Sequence, residues 1–476
     1  MQLTNFRQLA TRSALLLSLG LTVGSCEKAV NVDPSNSISS DKGFTTKEDA
    51  AAGLLGAYDA VQASDYDGLA YPSIVGLIGN EIRHVGTFTT TYGVIGLNQV
   101  LPDNIQVGNS WNIIYNAINR ANYVLQQTDR ITDPAFTTKT TTLAEARALR
   151  AFHYMNLLAL WGGNTQGYGY ADGLGVPLRL LPTTTPADAA AIPRSTEAEV
   201  AKAIRDDLDF AILNLSIGTG SRITKSTALT LRARFELRMR NYADALNFAK
   251  QVPATPNFSG TTAELTGTTA PDAIWQLLFS NTDQSQYAFY WYPSPGGRNE
   301  FDPASSMTAA HPAGDKRLPI NVVPATTNVN VGGNPFTLRT GTTQKFYRTS
   351  TRDDAFNVVR YAEVALTIAE AAAQTGDLTT ATTQLNIIRS RAGLAPTTAI
   401  TAADLVTDIL LQRRLELAYE GHYWFDLRRT NNVQSKLGSS NPTTPNAYNQ
   451  VFRNLFPIPL REVTLTNGLI SQNPGF

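Results

Sequence analysis

Between residues 227 and 252, "TALTLRARFELRMRNYADALNFAKQV", apolar side chains recur every four positions at Leu231, Phe235 and Met239. Asn241-Tyr242 then interrupts the run, and Ala243, Ala245 and Ala249 mark the inner face of a second helix. This period, with its break, predicts two antiparallel helices joined by a tight turn. The pattern returns in "RYAEVALTIAEAAAQTGDLTTATTQLNIIRSRAGL" (360–394): one helix to about Gln374, a Gly376-Asp377 turn, and a second helix with Leu385 and Ile388 facing inward. Small alanines at the crossings allow close helix approach. Upstream, segments beginning at Trp111 and Thr142 predict another long helical pair, and a further helix starts at Glu199. A last helix is expected from about Ala403 to Glu420, with Leu411, Leu415, Ala418 and Tyr419 as its apolar stripe.

Between these helices the composition changes. Residues 64–110, 162–195, 253–358 and 430–476 are rich in Gly, Pro, Thr and Asn, with β-prone pieces such as "AIWQLLFS" at 273–280. Such stretches are too long for simple connectors, and their scattered aromatic residues argue for order. At 476 residues the chain exceeds what one hydrophobic core usually holds, yet no Pro/Gly/Ser linker divides it. Helical hairpins stacked side by side resolve that tension. The expected fold is therefore mostly α: tetratricopeptide-like helix pairs forming a scaffold, with long irregular loops at about 64–110, 162–195 and 253–358 and a few short β-strands.

The single cysteine, Cys26, excludes an intramolecular disulfide. Ahead of it stand Arg7, Arg12 and an apolar segment, Ala14 to Val23, about half the length of a bilayer span. Val23-Gly24-Ser25-Cys26 resembles the lipobox of bacterial lipoproteins, in which the cysteine is acylated and becomes the first mature residue. The expected organisation is a signal peptide over 1–25, a lipidated Cys26 with a polar tether over 26–42, and one domain over 43–476. No later stretch is long and apolar enough to cross a bilayer.

Lys plus Arg and Asp plus Glu number 39 each, and without Arg7 and Arg12 the balance is 37 to 39. Nothing in that balance suits nucleic acid. Only 16% of residues are charged, a composition that suits neutral polar ligands. The chain contains no G-x-S-x-G, H-E-x-x-H or G-x-x-x-x-G-K motif, and "GYGYADGLG" (167–175) misses the dinucleotide spacing. His84, His153, His311 and His422 have no ligand spacing between them. "DYDG" (65–68) could contribute to a structural calcium site but lacks the other ligands, so it reads as a solvated turn. No cofactor is implied.

Seven blocks carry a family resemblance: "EARALRAFHYMNLLALWG" (145–162), "GVPL" (175–178), "RYAEVALTIAEAA" (360–372), "LNIIRSRAGL" (385–394), "RRLELAYEGHYWFDLRR" (413–429), "LFPIP" (455–459) and "QNPGF" (472–476). In this order, behind a lipobox, they resemble the SusD/RagB family of outer-membrane lipoproteins of the Bacteroidetes type. The resemblance implies a cell-surface protein without catalysis that captures an oligosaccharide and passes it to a SusC-like TonB-dependent transporter. It leaves open a RagB-like peptide receptor, and a helical-repeat scaffold whose only partner is another protein. The charged residues Arg413, Arg414, Glu416, Glu420, Asp426, Arg428 and Arg429 read as structural ion pairs. Arg413 is expected to shield Glu416, and Arg428 or Arg429 to fold back on Glu420. Trp161, Trp424 and Phe425 are expected to be packing residues, and the two C-terminal blocks to tie the chain end to the body.

A neutral sugar asks for flat aromatic faces plus a few polar groups, carried on loops held by a rigid scaffold. Two loops offer them: "NEIRHVGTFTTTYGVIGLNQ" (80–99) and "QYAFYWYPSPGGRNE" (286–300). The resemblance implies that these regions converge on the ligand. Read as an extended strand, 286–300 puts Tyr290 and Tyr292 on one side and Trp291 on the other. Trp291 and Tyr92 are the preferred ligand contacts, followed by Tyr290, Tyr292, Tyr66 and Arg83. A glycan site requires exposed, coplanar rings in these loops, whereas a pure scaffold would bury them.

Overall fold

The computed structural model describes residues 44–168, 173–255, 258, 270–294, 296–331, 333–438 and 448–476. The signal peptide, Cys26 and the tether expected from sequence lie outside the described residues.

The scaffold is built from helices α1 (Lys47–Gln62), α2 (Ala70–Ile78), α3 (Ile105–Arg130), α4 (Lys139–Trp161), α5 (Glu197–Asn214), α6 (Lys225–Arg238) and α7 (Tyr242–Lys250) in the first half. After a short helix α8 (Tyr287–Trp291) come α9 (Tyr361–Gln374), α10 (Leu378–Arg391), α11 (Ala402–Glu416) and α12 (Tyr423–Arg429). Pairs α3/α4, α6/α7 and α9/α10 pack as the periodicity predicts, and α7 packs against α9 to join the two halves. Side-chain caps begin several of the helices. Thr46 and Thr196 form capping boxes with Asp49 and Glu199, and Asn104, Asp377 and Thr401 accept first-turn amides.

Three two-stranded antiparallel sheets accompany the helices. Strand β1 (Ile82–His84) pairs with β3 (Phe301–Pro303), β2 (Ala273–Leu277) with β6 (Phe356–Arg360), and β4 (Thr327–Val331) with β5 (Asn334–Leu338). The β1/β3 register sets Arg83 opposite Asp302 and His84 opposite Phe301. One extended hydrophobic core runs from Leu54 to Ile470 and includes Trp111, Trp161, Trp275, Trp291 and Trp424.

Three expectations change. Helix α2 lies inside 64–110, where a loop was expected: all nine of its residues are buried, so the sequence "AYPSIVGLI" shows no amphipathic period. Helix α1 was also not foreseen. The helix expected to reach Glu420 stops at Glu416, because Tyr419 takes a left-handed backbone (φ 65°). Glu416 and Glu420 therefore do not share a helix face.

The ion pairs are structural, but their partners differ from the local ones expected. Glu416 is surrounded by Arg317, Arg360 and Arg391 at 3.5, 3.4 and 3.3 Å. Glu420 pairs with Lys345 at 2.7 Å and with Arg360 at 2.9 Å. Arg413 pairs with Asp426 at 2.8 Å instead, and Arg429 joins Asp426 and Glu370. Arg428 donates to main-chain carbonyls of Ala159, Gly162 and Asn164. The C-terminus is tied down as expected: Trp161 Nε1 donates to Pro457 O at 3.1 Å, and Asn473 Nδ2 donates to Trp161 O and Phe456 O.

Candidate ligand-binding site

The two loops singled out by their aromatics do meet. Pairing of β1 with β3 brings the 85–93 segment beside 287–300, and the buried carboxylate of Glu300 fastens them together. Its Oε2 accepts the Phe88 N–H at 3.1 Å and lies 3.0 Å from His84 Nε2. Its Oε1 accepts from Thr87 Oγ1 at 3.1 Å and from Arg298 Nε at 2.9 Å. Burial raises the Glu300 pKa, but the hydrogen bonds from Phe88, Thr87 and His84 outweigh it and hold the carboxyl below its ordinary value. Gly86 permits this approach, since a Cβ there would sit 2.3 Å from Glu300 Oε2.

Above this clasp lies a half-buried aromatic group. Tyr290 stacks on the buried Phe301 with centroids 5.9 Å apart and rings 25° from parallel. Phe88 adjoins it at 6.3 Å and 30°. The Arg298 guanidinium lies 4.0 Å from the Phe88 centroid and 5.8 Å from that of Tyr290. Phe289 follows at 5.7 Å from Tyr290 but edge-on, at 71°, with Arg352 over its ring at 4.3 Å. Phe88, Phe289 and Tyr290 each keep part of their surface in solvent. Beside them, Asp302 holds the exposed Arg83 at 2.9 Å.

Of the six residues expected to touch ligand, the structure leaves two accessible, Tyr290 and Arg83. The other four are corrected. Trp291 is 1% exposed and packs against Tyr419, Phe301 and Phe346, with centroids 5.0, 6.0 and 6.0 Å away. Tyr92 is buried edge-on against Phe301 at 5.0 Å. Tyr292 is buried and donates its hydroxyl to Thr343 O at 2.6 Å. Tyr66 is buried, its hydroxyl 2.9 Å from His153 Nδ1 and accepting from Asn156 Nδ2 at 3.0 Å.

The cause in the 286–300 loop is helical phase. Residues 287–291 form α8 and not an extended strand, so Tyr287, Ala288 and Trp291 face inward while Phe289 and Tyr290 face out. Phe88, Phe289 and Arg298 stand in the two expected loops but outside the preferred set. Arg339 and Asp302 lie beyond both loops, and no sequence signal pointed to them.

The "DYDG" turn is not solvated throughout. Asp67 is buried, and burial pushes its carboxyl up to about 7, while Asp65 accepts from Gln106 Nε2 at 3.0 Å. Among the described residues no group of three or more His, Cys, Asp or Glu side chains is placed to hold a metal ion.

Known proteins resemble this chain in sequence and in fold. Residues 319–476 match the family model described as SusD family, and residues 40–237 match the model described as starch-binding associating with outer membrane. A SusD-like protein of Formosa agariphila is 26% identical over 526 aligned positions, covering 98% of this chain and 99% of that protein. Among solved structures, a SusD superfamily protein from Bacteroides thetaiotaomicron superposes with a TM-score of 0.74 at 21% identity, covering 90% of this chain and 100% of the other. A putative sugar binding protein from Bacteroides vulgatus gives 0.70 at 22% identity, with 91% and 99% covered. A laminarin binding SusD-like protein gives 0.70 at 19% identity, with 91% and 100% covered.

Proposed function

Because this chain belongs to the SusD/RagB family of non-enzymatic binding proteins, we propose that it captures a glycan at the outer membrane and delivers it to a SusC-like TonB-dependent transporter. The observation that carries this reading is the half-exposed platform of Phe88 and Tyr290, 30° from parallel, with Phe289 at 71° to Tyr290 on its edge, held by Glu300 where the two loops converge. A pyranose presents an apolar face that such rings can cover, while Arg83, Arg298 and Asn299 supply hydrogen bonds for its hydroxyls and ring oxygen. Relatives named for starch, laminarin and sugar binding support the ligand class.

Attachment follows from the N-terminal sequence: residues 1–25 act as the signal peptide, acylated Cys26 anchors the body, and residues 26–42 form its tether. Cys26→Ser is expected to abolish incorporation of radiolabelled palmitate and release the protein from membranes.

Isothermal titration of the full chain in detergent micelles tests the ligand. Laminarin, starch, pectin and mixed peptides form the panel, with Tyr290→Ala as control. Binding of a glycan that Tyr290→Ala weakens supports the reading. Binding of peptides alone, or of nothing, overturns it.

A further inference from the structure

At the rim of the aromatic platform two arginines share one carboxylate. Arg83 Nη2 lies 2.9 Å from Asp302 Oδ2, and Arg339 Nη2 lies 3.7 Å from Asp302 Oδ1. The carboxylate is nearly enclosed, whereas the side chains of Arg83 and Arg339 are 59% and 47% exposed. Asn299 completes the group: its Nδ2 donates to Asp302 Oδ1 at 3.1 Å and its Oδ1 accepts from Arg339. Its left-handed backbone (φ 52°) sets it in the turn that leads to β3. Asn299, which contacts both Asp302 and Arg339, directly follows Arg298, whose guanidinium lies over Phe88, so the cluster adjoins the segment that carries the aromatic rings.

One negative charge held between two guanidinium groups leaves an excess positive charge and a mutual repulsion that a second anion would relieve. The neighbouring acids do not supply it. Glu300 is occupied by Arg298, Thr87, His84 and Phe88, and Asp65 accepts from Gln106. Arg298 and Arg352 lie over Phe88 and Phe289, adding cations to the same surface. All four cations are arginines, whose planar fork matches an oxyanion bidentately. In a chain with equal numbers of acidic and basic residues and only 16% charged residues, this gathering is not the general character of the surface.

We infer that Arg83 and Arg339, held together by Asp302, form an oxyanion clamp, and that the captured glycan carries a carboxylate or sulfate group. This rests on the glycan reading and replaces the neutral ligand that overall composition suggests. The platform covers the sugar's apolar face while the clamp takes the charged substituent beside it.

Titration of the full chain in detergent with four oligosaccharide sets tests the inference. Oligogalacturonate is compared with its methyl ester, and carrageenan oligosaccharides with their desulfated form. At least one charged set is expected to bind about tenfold or more tighter than its neutral counterpart, and which set does so identifies the substituent. That preference should shrink severalfold between low and high NaCl and be lost in Arg83→Gln and in Arg339→Gln. Both positions are exposed, so either variant is expected to fold, as an unchanged thermal midpoint would confirm. Equal affinity for charged and neutral members, or a preference surviving both substitutions, overturns the clamp. If laminarin binds, Tyr290→Ala abolishes that binding and no acidic set is preferred, the clamp falls while the glycan reading stands. If no glycan binds, both fall.

Discussion

Glu300 receives the main-chain N–H of Phe88 at 3.1 Å, so a buried carboxylate on one loop fixes the position of a partly exposed ring on the other. Their separation in sequence is 212 residues, and the contact converts two distant loops into one surface. The proposed binding platform therefore depends on a buried interaction beneath it.

Glu300→Ala should therefore weaken glycan binding at least tenfold although the residue is buried. It leaves the Phe88 amide, Thr87 and Arg298 without their acceptor, a loss on the order of 1–3 kcal/mol in stability. Because the folded-state pKa of Glu300 lies below its ordinary value, its contribution is present at neutral pH. It is lost as pH falls from the usual glutamate range through that lowered pKa. Titration calorimetry with a bound glycan, paired with urea unfolding, measures both effects. Unchanged affinity in a folded variant would remove Glu300 from the site's support.

Adjacent aromatic residues should behave in opposite ways. Tyr290→Ala removes a half-buried ring of the platform and is expected to cost about 2 kcal/mol of binding, roughly thirtyfold, with a smaller drop in thermal midpoint than Trp291→Ala. Trp291→Ala empties a core position and should cost about 3–5 kcal/mol of folding stability. Thermal unfolding and titration of the two variants together decide it; a stable Trp291→Ala protein that has lost only binding would contradict the burial.

This contrast also explains what the sequence could convey. The α6/α7 and α9/α10 hairpins were legible because apolar and small residues recur at helical spacing and a turn residue marks the break, Gly376 with φ 88° in the second; α7 and α10 bury one face, although α6 and α9 are buried almost throughout. The α2 helix was not, being apolar on every side. Loop convergence was expected from family resemblance, but the choice between Tyr290 and Trp291 turns on one residue of helical phase, fixed by Phe301 and Tyr419 from elsewhere in the chain. Ion partners were hidden for the same reason: Arg317, Arg360 and Arg391 reach Glu416 across 99, 56 and 25 residues.

A second buried glutamate lacks such partners. Glu81, between α2 and β1, has no side-chain hydrogen-bond partner for either carboxylate oxygen among the described residues, and burial pushes its pKa up to about 8 against the weaker pull of Arg414, Lys345 and the Tyr419 main chain. A folded pKa above the unfolded value of 4.5 means that its stabilising proton is fully present below pH 4.5 and is lost as pH rises through about 8. Glu81→Gln, which cannot ionise, should gain on the wild type as pH rises, by on the order of 4 kcal/mol at pH 8. Urea unfolding at pH 5, 7 and 9 reads the difference, and a constant gap between the proteins would rule out the buried ionisation.

Glu416 should show the reverse dependence. Burial raises its pKa, but Arg391, Arg360 and Arg317 outweigh that and hold the carboxyl at about 2, below the ordinary 4.5. Its contribution is therefore complete above pH 4.5 and is lost as pH falls through about 2. Removing the charge leaves the buried cluster of Arg317, Arg360 and Arg391 short of one carboxylate, with Asp315, Asp272 and Glu420 as its remaining partners, so Glu416→Gln should cost about 3 kcal/mol at pH 7. That deficit should narrow on acidification, because the wild type is then losing the same charge. Denaturant unfolding of both proteins at pH 7, 4 and 3 follows the gap, with any narrowing concentrated at the lowest pH. A deficit already closed at pH 4 would mean that the three arginines do not lower the carboxyl's pKa, while a Glu416→Gln protein as stable as wild type at pH 7 would mean that the network contributes nothing to the fold.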